Sequence, residues 1–76
     1  MDTALLKRIE KIRQLKEEFG LDQERIAQHT EPSRSRVTVA KVFSGNDERY
    51  VTETNVEAVE RAVQKILDDY RKKLCN

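Results

Sequence analysis

Apolar side chains recur along this chain at helical spacing, interrupted at a few points by glycine, proline and short polar runs. Leu5, Leu6, Ile9, Ile12, Leu15 and Phe19 fall three and four apart with Lys7, Arg8, Lys11 and Arg13 between them, which predicts a one-sided amphipathic helix ending near Phe19. Gly20 stands where a left-handed C-terminal cap belongs, and Leu21 supplies the apolar contact back onto the helix. Asp22 is an N-cap whose carboxylate can accept the amide of Glu24 or Arg25. It opens a short second helix, Gln23 to about His29, with Ile26 and Ala27 inward. That helix must end before Pro32, because proline disfavours helical geometry at Glu31, so Thr30 and Glu31 form the turn.

The periodicity resumes in a third helix, predicted to begin at Pro32 or Ser33 with Ser33 or Ser35 as cap, and to run to Ser44 before Gly45 stops it. Val39, Val42 and Phe43 share its apolar face with Val37 and Ala40 flanking, leaving Arg34, Ser35, Arg36, Thr38 and Lys41 for the remainder. Val37 and Val39 are β-branched and weaken intrinsic helicity, so tertiary packing has to hold this segment. Asn46 to Val51 reads as a polar loop. Thr52 or Thr54 caps the longest helix, with Thr54 and Glu57 at capping-box spacing. Val56, Val59, Val63, Ile66, Tyr70 and Leu74 then follow as a nearly heptad stripe. The prediction is a single all-α domain over residues 1–76, with about four helices, a helix-turn-helix at 22–45 and a long C-terminal helix at 54–74.

Composition narrows the function classes. With 76 residues there is room for one compact unit, and a single cysteine, Cys75, forms no internal disulfide, which points to a reducing, cytoplasmic setting. Charged residues make up 38% of the chain and no apolar run reaches the roughly 18 residues of a membrane span, so no membrane partner is predicted. The first twenty residues carry no signal-like apolar stretch. Net charge is only +1, which alone gives no nucleic-acid signal. The distribution says more: Ser33 to Gly45 holds Arg34, Arg36 and Lys41 and no acid, whereas Glu53 to Leu74 balances five acids against five bases.

Two helices joined by a tight turn, the second exposing Arg, Ser and Thr, suit insertion of one helix into a major groove while the other braces it. Arg can grip guanine O6 and N7 bidentately, hydroxyls can bond base or phosphate, and free amides at a helix start can hold phosphate. The stretch LDQERIAQHTEPSRSRVTVAKVFSGN resembles the Cro and phage-repressor type of helix-turn-helix, with a lactose-repressor-like ending. It covers about a third of the chain. Asp22 and Gln23 match the family's cap and phosphate-bonding glutamine, Ala27 its small packing residue, and Val39 to Gly45 its Val-Ser-Lys-Val-Leu-Asn-Gly ending; Tyr50-Val51-Thr52 is similar to its lead-in to the next helix. The resemblance implies a prokaryotic or phage regulator of transcription that reads double-stranded DNA. Glu31 stands where the family has Gly, and the turn is about two residues longer, which leaves open which of Arg34, Arg36 and Thr38 faces bases. The DNA-binding set is Gln23, Ser33, Arg34, Ser35, Arg36, Thr38 and Lys41.

The other chemistry-bearing residues have plainer roles. His29 has no second ligand at metal-binding spacing and reads as a helix-end histidine, Cys75 as a frayed terminal thiol, and Asp68 and Asp69 as helix neighbours pointing apart. No catalytic constellation, metal site, cofactor or small-molecule ligand is predicted, and the chain reads as a non-enzyme. A helix of about 20 residues spans about 30 Å, so Ile66, Leu67, Tyr70 and Leu74 are expected to overhang three short helices. Pairing them with a second copy would make a homodimer that sets two recognition helices about one DNA turn apart; a monomer whose first helix covers the stripe is the alternative. The near-neutral charge also fits a competing reading, a helical adaptor or antitoxin-type module that binds another protein.

Overall fold

The Gly20 turn shows how closely local chemistry decides this architecture. A computed structural model of the chain describes residues 3–75, and its first helix, α1, spans Thr3–Phe19. Gly20 takes φ +62°, and two bonds close the helix end: the Leu21 amide to the Lys16 carbonyl at 2.9 Å and the Gly20 amide to Glu17 at 3.4 Å. This is the paired-bond C-terminal cap that only a residue at ease in the left-handed region completes cheaply. It reverses the chain so that Leu21 enters the core.

Helix α2, Gln23–Gln28, follows with Asp22 as its N-cap, the carboxylate accepting the Glu24 amide at 3.0 Å. His29 closes it, its Nδ1–H donating to the Arg25 carbonyl at 2.8 Å. Helix α3 spans Arg36–Ser44, three to four residues later than the start expected at Pro32 or Ser33. The reason is local competition for amides. The buried Thr30 hydroxyl takes the Arg34 amide at 2.7 Å, which bends residues 30–34 away from helical geometry. Ser35, in extended backbone, then caps the helix by accepting the Thr38 amide at 3.2 Å. Seven residues, His29 to Ser35, therefore join α2 and α3, where Thr30 and Glu31 alone were expected to form the turn. Gly45 ends α3 at φ +68°, as its position predicted.

Helix α4, Glu53–Cys75, starts from Thr52, whose hydroxyl accepts the Asn55 amide at 3.2 Å. The alternative box at Thr54 does not form, and Glu57 instead pairs with Arg61 at 2.6 Å. Cys75 is the last helical residue, and the expectation for its thiol lies outside the described side chains. Four helices and no strand occur among the described residues, an all-α domain with a long C-terminal helix. None is long and apolar enough to cross a membrane.

Both α3 and α4 pack against all three other helices. The core runs between them: Ile9 and Ile12 from α1, Ile26 from α2, Val39 and Val42 from α3, and Val56, Val59, Val63 and Ile66 from α4 are all nearly solvent-free. Ile66 and Leu67, expected to overhang, are 2% and 4% exposed. Helix α1 is 17 residues long, about 26 Å, and with Leu21 it covers α4 as far as Leu67. Only Tyr70 and Leu74 project beyond this cover, at 52% and 69% exposure. Arg8 of α1 further ties the two long helices through Glu60, its Nε donating at 3.1 Å, and that carboxylate raises the guanidinium pKa above its usual value.

Candidate nucleic-acid interface

With Val39, Val42 and Phe43 turned into the core, α3 is held from behind and only its opposite side is open. At about 100° per residue, Arg36, Ala40, Ser44, Val37 and Lys41 fall in one arc of about 140°. That arc is the exposed side: Arg36, Val37 and Ser44 are exposed, and Ala40 and Lys41 half-buried. The two basic residues stand at its edges with small or apolar side chains between them. Val37, expected to flank the core, instead lies at 59% exposure.

The face is fastened from several directions. Arg13 of α1 reaches the C-terminal end of α3, where its Nε donates to the Phe43 carbonyl at 3.1 Å and its Nη2 to the same oxygen. It supplies a partner to one of the carbonyls a helix end leaves free. Lys16 lies 5.9 Å from the Phe43 ring centre. At the other end, the Thr30 hydroxyl donates to the Ala27 carbonyl at 2.8 Å while accepting the Arg34 amide, so a single buried side chain joins the last turn of α2 to the approach to α3.

The residues singled out from sequence divide into three groups. Arg36, at the first position of α3, makes no side-chain hydrogen bond or ion pair among the described residues, and Ser33 is exposed in the linker before it. Gln23, half-buried, occupies the first position of α2. The second group is engaged internally. Arg34 donates from Nε to the Asn55 Oδ1 at 2.6 Å and from Nη1 to the Ser33 carbonyl at 3.1 Å, so its guanidinium is fixed to α4. Ser35 caps the helix, and its hydroxyl lies 3.1 Å from that of Thr38, which is half-buried at the rim of the core. The last group is Lys41 alone. The run from Ser33 to Gly45 holds no acid, but the loop after it folds Asp47 to within 3.5 Å of Lys41 Nζ, and Tyr50 sets its ring 5.1 Å away. The basic face is therefore opposed at one edge.

Asp47 is the centre of that loop. Its carboxylate accepts the Arg49 amide at 3.1 Å and the guanidinium at 3.1 and 3.2 Å. The Arg49 side-chain bonds first, then its amide and the charges of Arg49 and Lys41, hold the Asp47 carboxyl below the usual carboxylate range. Behind it, Asn55 donates from Nδ2 to the Tyr50 carbonyl at 2.9 Å while accepting from Arg34. Asn55 thus ties the loop after α3 to the linker before it. Sequence reasoning passed over Thr30, Asn55, Arg13 and Asp47. Asp47 carried a readable signal, an acid two residues before an arginine in a predicted loop. Arg13 and Asn55 act across separations of 30 and 21 residues, and Thr30 acts through the conformation of the linker around it.

The expected dimer patch also divides. Ile66 and Leu67 belong to the monomer core, while Tyr70 meets Phe19 edge-on with ring centres 6.5 Å apart, and Leu74 stands further out. Phe19, 45% exposed, joins them at the end of the molecule. No protein-family model matches the chain, and no curated protein or solved structure matches it.

Proposed function

We propose that the chain is a sequence-specific, repressor-like DNA-binding regulator that inserts α3 into the major groove and acts as a homodimer. The observation that carries the reading is the open arc of α3: a helix fixed at its back and both ends, presenting Arg36 and Lys41 around small side chains, with no carboxylate on the arc itself. Arg36 is the residue placed to grip a base edge, since Arg34 is spent on α4. Gln23 and Ser33 contact phosphate beside it, and Lys41 adds charge from the edge.

The second copy is proposed to pair through Tyr70, Leu74 and Phe19, the apolar cluster left beyond the core. Asp68 and Asp69 precede Tyr70, and Arg71, Lys72 and Lys73 follow it. An antiparallel twofold pairing of two such ends sets each acidic pair against the other copy's basic run. Arg34 is bound near the start of α4, and Tyr70 lies 15 residues beyond Asn55, about 22 Å along the helix. The two recognition helices then sit toward the outside of the pair, and half-site spacing becomes a measured quantity.

The test is titration of labelled random duplex with the purified protein at low and moderate salt. Binding at micromolar concentration that weakens steeply with salt, and weakens further in a Lys41→Ala variant, supports the reading. No binding at low salt sinks it in favour of the adaptor reading, which the net charge of +1 and the Lys41–Asp47 pair favour.

A further inference from the structure

Val37 is an anomaly within α3. It is β-branched, it lies in the first turn of the helix, and 59% of it faces solvent. A branched aliphatic side chain there lowers helix propensity and gains nothing from burial in the folded chain. The other strongly exposed apolar residues do not account for it: Phe19, Tyr70 and Leu74 cluster at the ends of α1 and α4, and Leu6 lies beside Gly45. Val37 stands within the basic-edged arc, nearer Lys41 than Arg36, with Ala40 and Ser44 beside it.

We propose that Val37 reads the 5-methyl group of a thymine, and that the sequence bound by this chain carries a thymine beside the base pair contacted by Arg36. The inference rests on the DNA-binding reading and deepens it. Among the four bases only thymine offers an apolar group in the major groove, and the side chains that recognise it are apolar. The χ1 angle of a helical valine is nearly fixed, so its two methyls are presented in one direction before binding. Ala40, one turn further along, is too short to hold the helix off the base edges, while Arg36 at one edge of the arc grips the neighbouring base and Lys41 at the other attracts a flanking phosphate chain. The apolar side chain between a base-reading arginine and a phosphate-facing lysine thus matches the groove in pattern, a methyl between a base edge and the backbone.

The experiment selects a tight-binding duplex from a random pool, then replaces its thymines one at a time with deoxyuridine, which removes the 5-methyl and leaves every hydrogen-bonding atom in place. Dissociation constants are measured by fluorescence anisotropy for the parent protein and for Val37→Ala, whose fold is checked by circular dichroism. One thymine in each half-site is expected to cost the parent about fourfold on replacement, the effect of one buried methyl-sized group, and to cost Val37→Ala nothing. If every replacement leaves the parent's affinity unchanged, or if the losses are the same in both proteins, Val37 is not the reader although the protein still binds DNA. Failure to bind any duplex overturns the inference together with the function it rests on.

Discussion

Removing the Thr30 hydroxyl tests whether the approach to α3 is built as described. Thr30 is 5% exposed and is the only buried polar residue among those described. Its hydroxyl makes two bonds, one accepted from the Arg34 amide and one donated to the Ala27 carbonyl. Thr30→Val keeps the shape and deletes both. At about 1 kcal/mol net per bond the loss is about 2 kcal/mol, and the methyl that replaces the hydroxyl returns about 0.8 kcal/mol of apolar burial, leaving about 1.2 kcal/mol. In a domain of this size that lowers the melting temperature by about 5–10 °C. Thr30→Ser keeps the hydroxyl and deletes a buried methyl, which costs about 0.5–1.5 kcal/mol. The two variants are therefore expected to melt alike, and thermal stability cannot separate them. Amide hydrogen exchange can. The Arg34 amide loses its acceptor in Thr30→Val and keeps it in Thr30→Ser, so its protection should fall in the first and persist in the second. An Arg34 amide that exchanges equally in the parent and Thr30→Val would refute the role given to this hydroxyl.

Four further outcomes follow from the same geometry. Arg36→Ala should weaken binding to a selected duplex by about 1–3 kcal/mol while changing affinity for random duplex little, measured by anisotropy; Arg34→Ala, which frees the linker from Asn55, should instead lower the melting temperature. Asp47→Asn should free Lys41 and Arg49, raising affinity for random duplex at low salt and steepening its salt dependence. Because the folded-state pKa of Asp47 is depressed, its pairing stabilises the fold above the unfolded value of about 3.9 and is lost as pH falls through the lower folded value; melts of the parent and Asp47→Asn should differ at neutral pH and converge once pH falls below that folded value. At concentrations low enough for the monomer to dominate, Ile66→Ala should cost about 2–5 kcal/mol in urea unfolding, as a core cavity, and Leu74→Ser less than about 0.5 kcal/mol, while at higher concentration Leu74→Ser should shift sedimentation equilibrium from dimer to monomer.

The helices were legible because their signals are local. Leu5 to Phe19 with Gly20, Asp22 before Gln23, and Gly45 after Ser44 each combine a period with a cap, and the structure places those boundaries within a residue. The start of α3 was not, since Pro32 and Ser33 look like a helix opening only while Thr30 is ignored, and its hydroxyl bond to Arg34 depends on the whole linker conformation. The candidate face suffered from the same kind of omission. A basic segment without acids is a statement about sequence neighbours, and Asp47 opposes Lys41 because Gly45 turns the chain back toward the helix it has just left. For α4, the stripe was read correctly but its cover was misjudged. The length of α1, not the number of helices, decides that Ile66 and Leu67 are inside.

The arc of α3 is braced before and after the helix through one residue of α4. Its entry is bonded through Arg34 to Asn55, the same Asn55 holds the Tyr50 carbonyl, and Tyr50 follows the loop in which Asp47 pairs with Lys41 and Arg49. The linker before the helix and the loop after it therefore share one anchor on α4. Binding that draws Lys41 toward a phosphate must loosen its contact with Asp47, while Arg49 remains to satisfy that carboxylate. The loss at Lys41 is then confined to one half-buried pair, and the anchor at Asn55 need not move. Asn55→Ala removes that anchor with every side chain of the arc intact. It should reduce discrimination between a selected duplex and random DNA more than it reduces affinity for random DNA, because phosphate attraction tolerates a tilted helix and base-edge geometry does not. Equal losses on both duplexes would mean that the orientation of α3 is set by its packing on α1 and α2 alone.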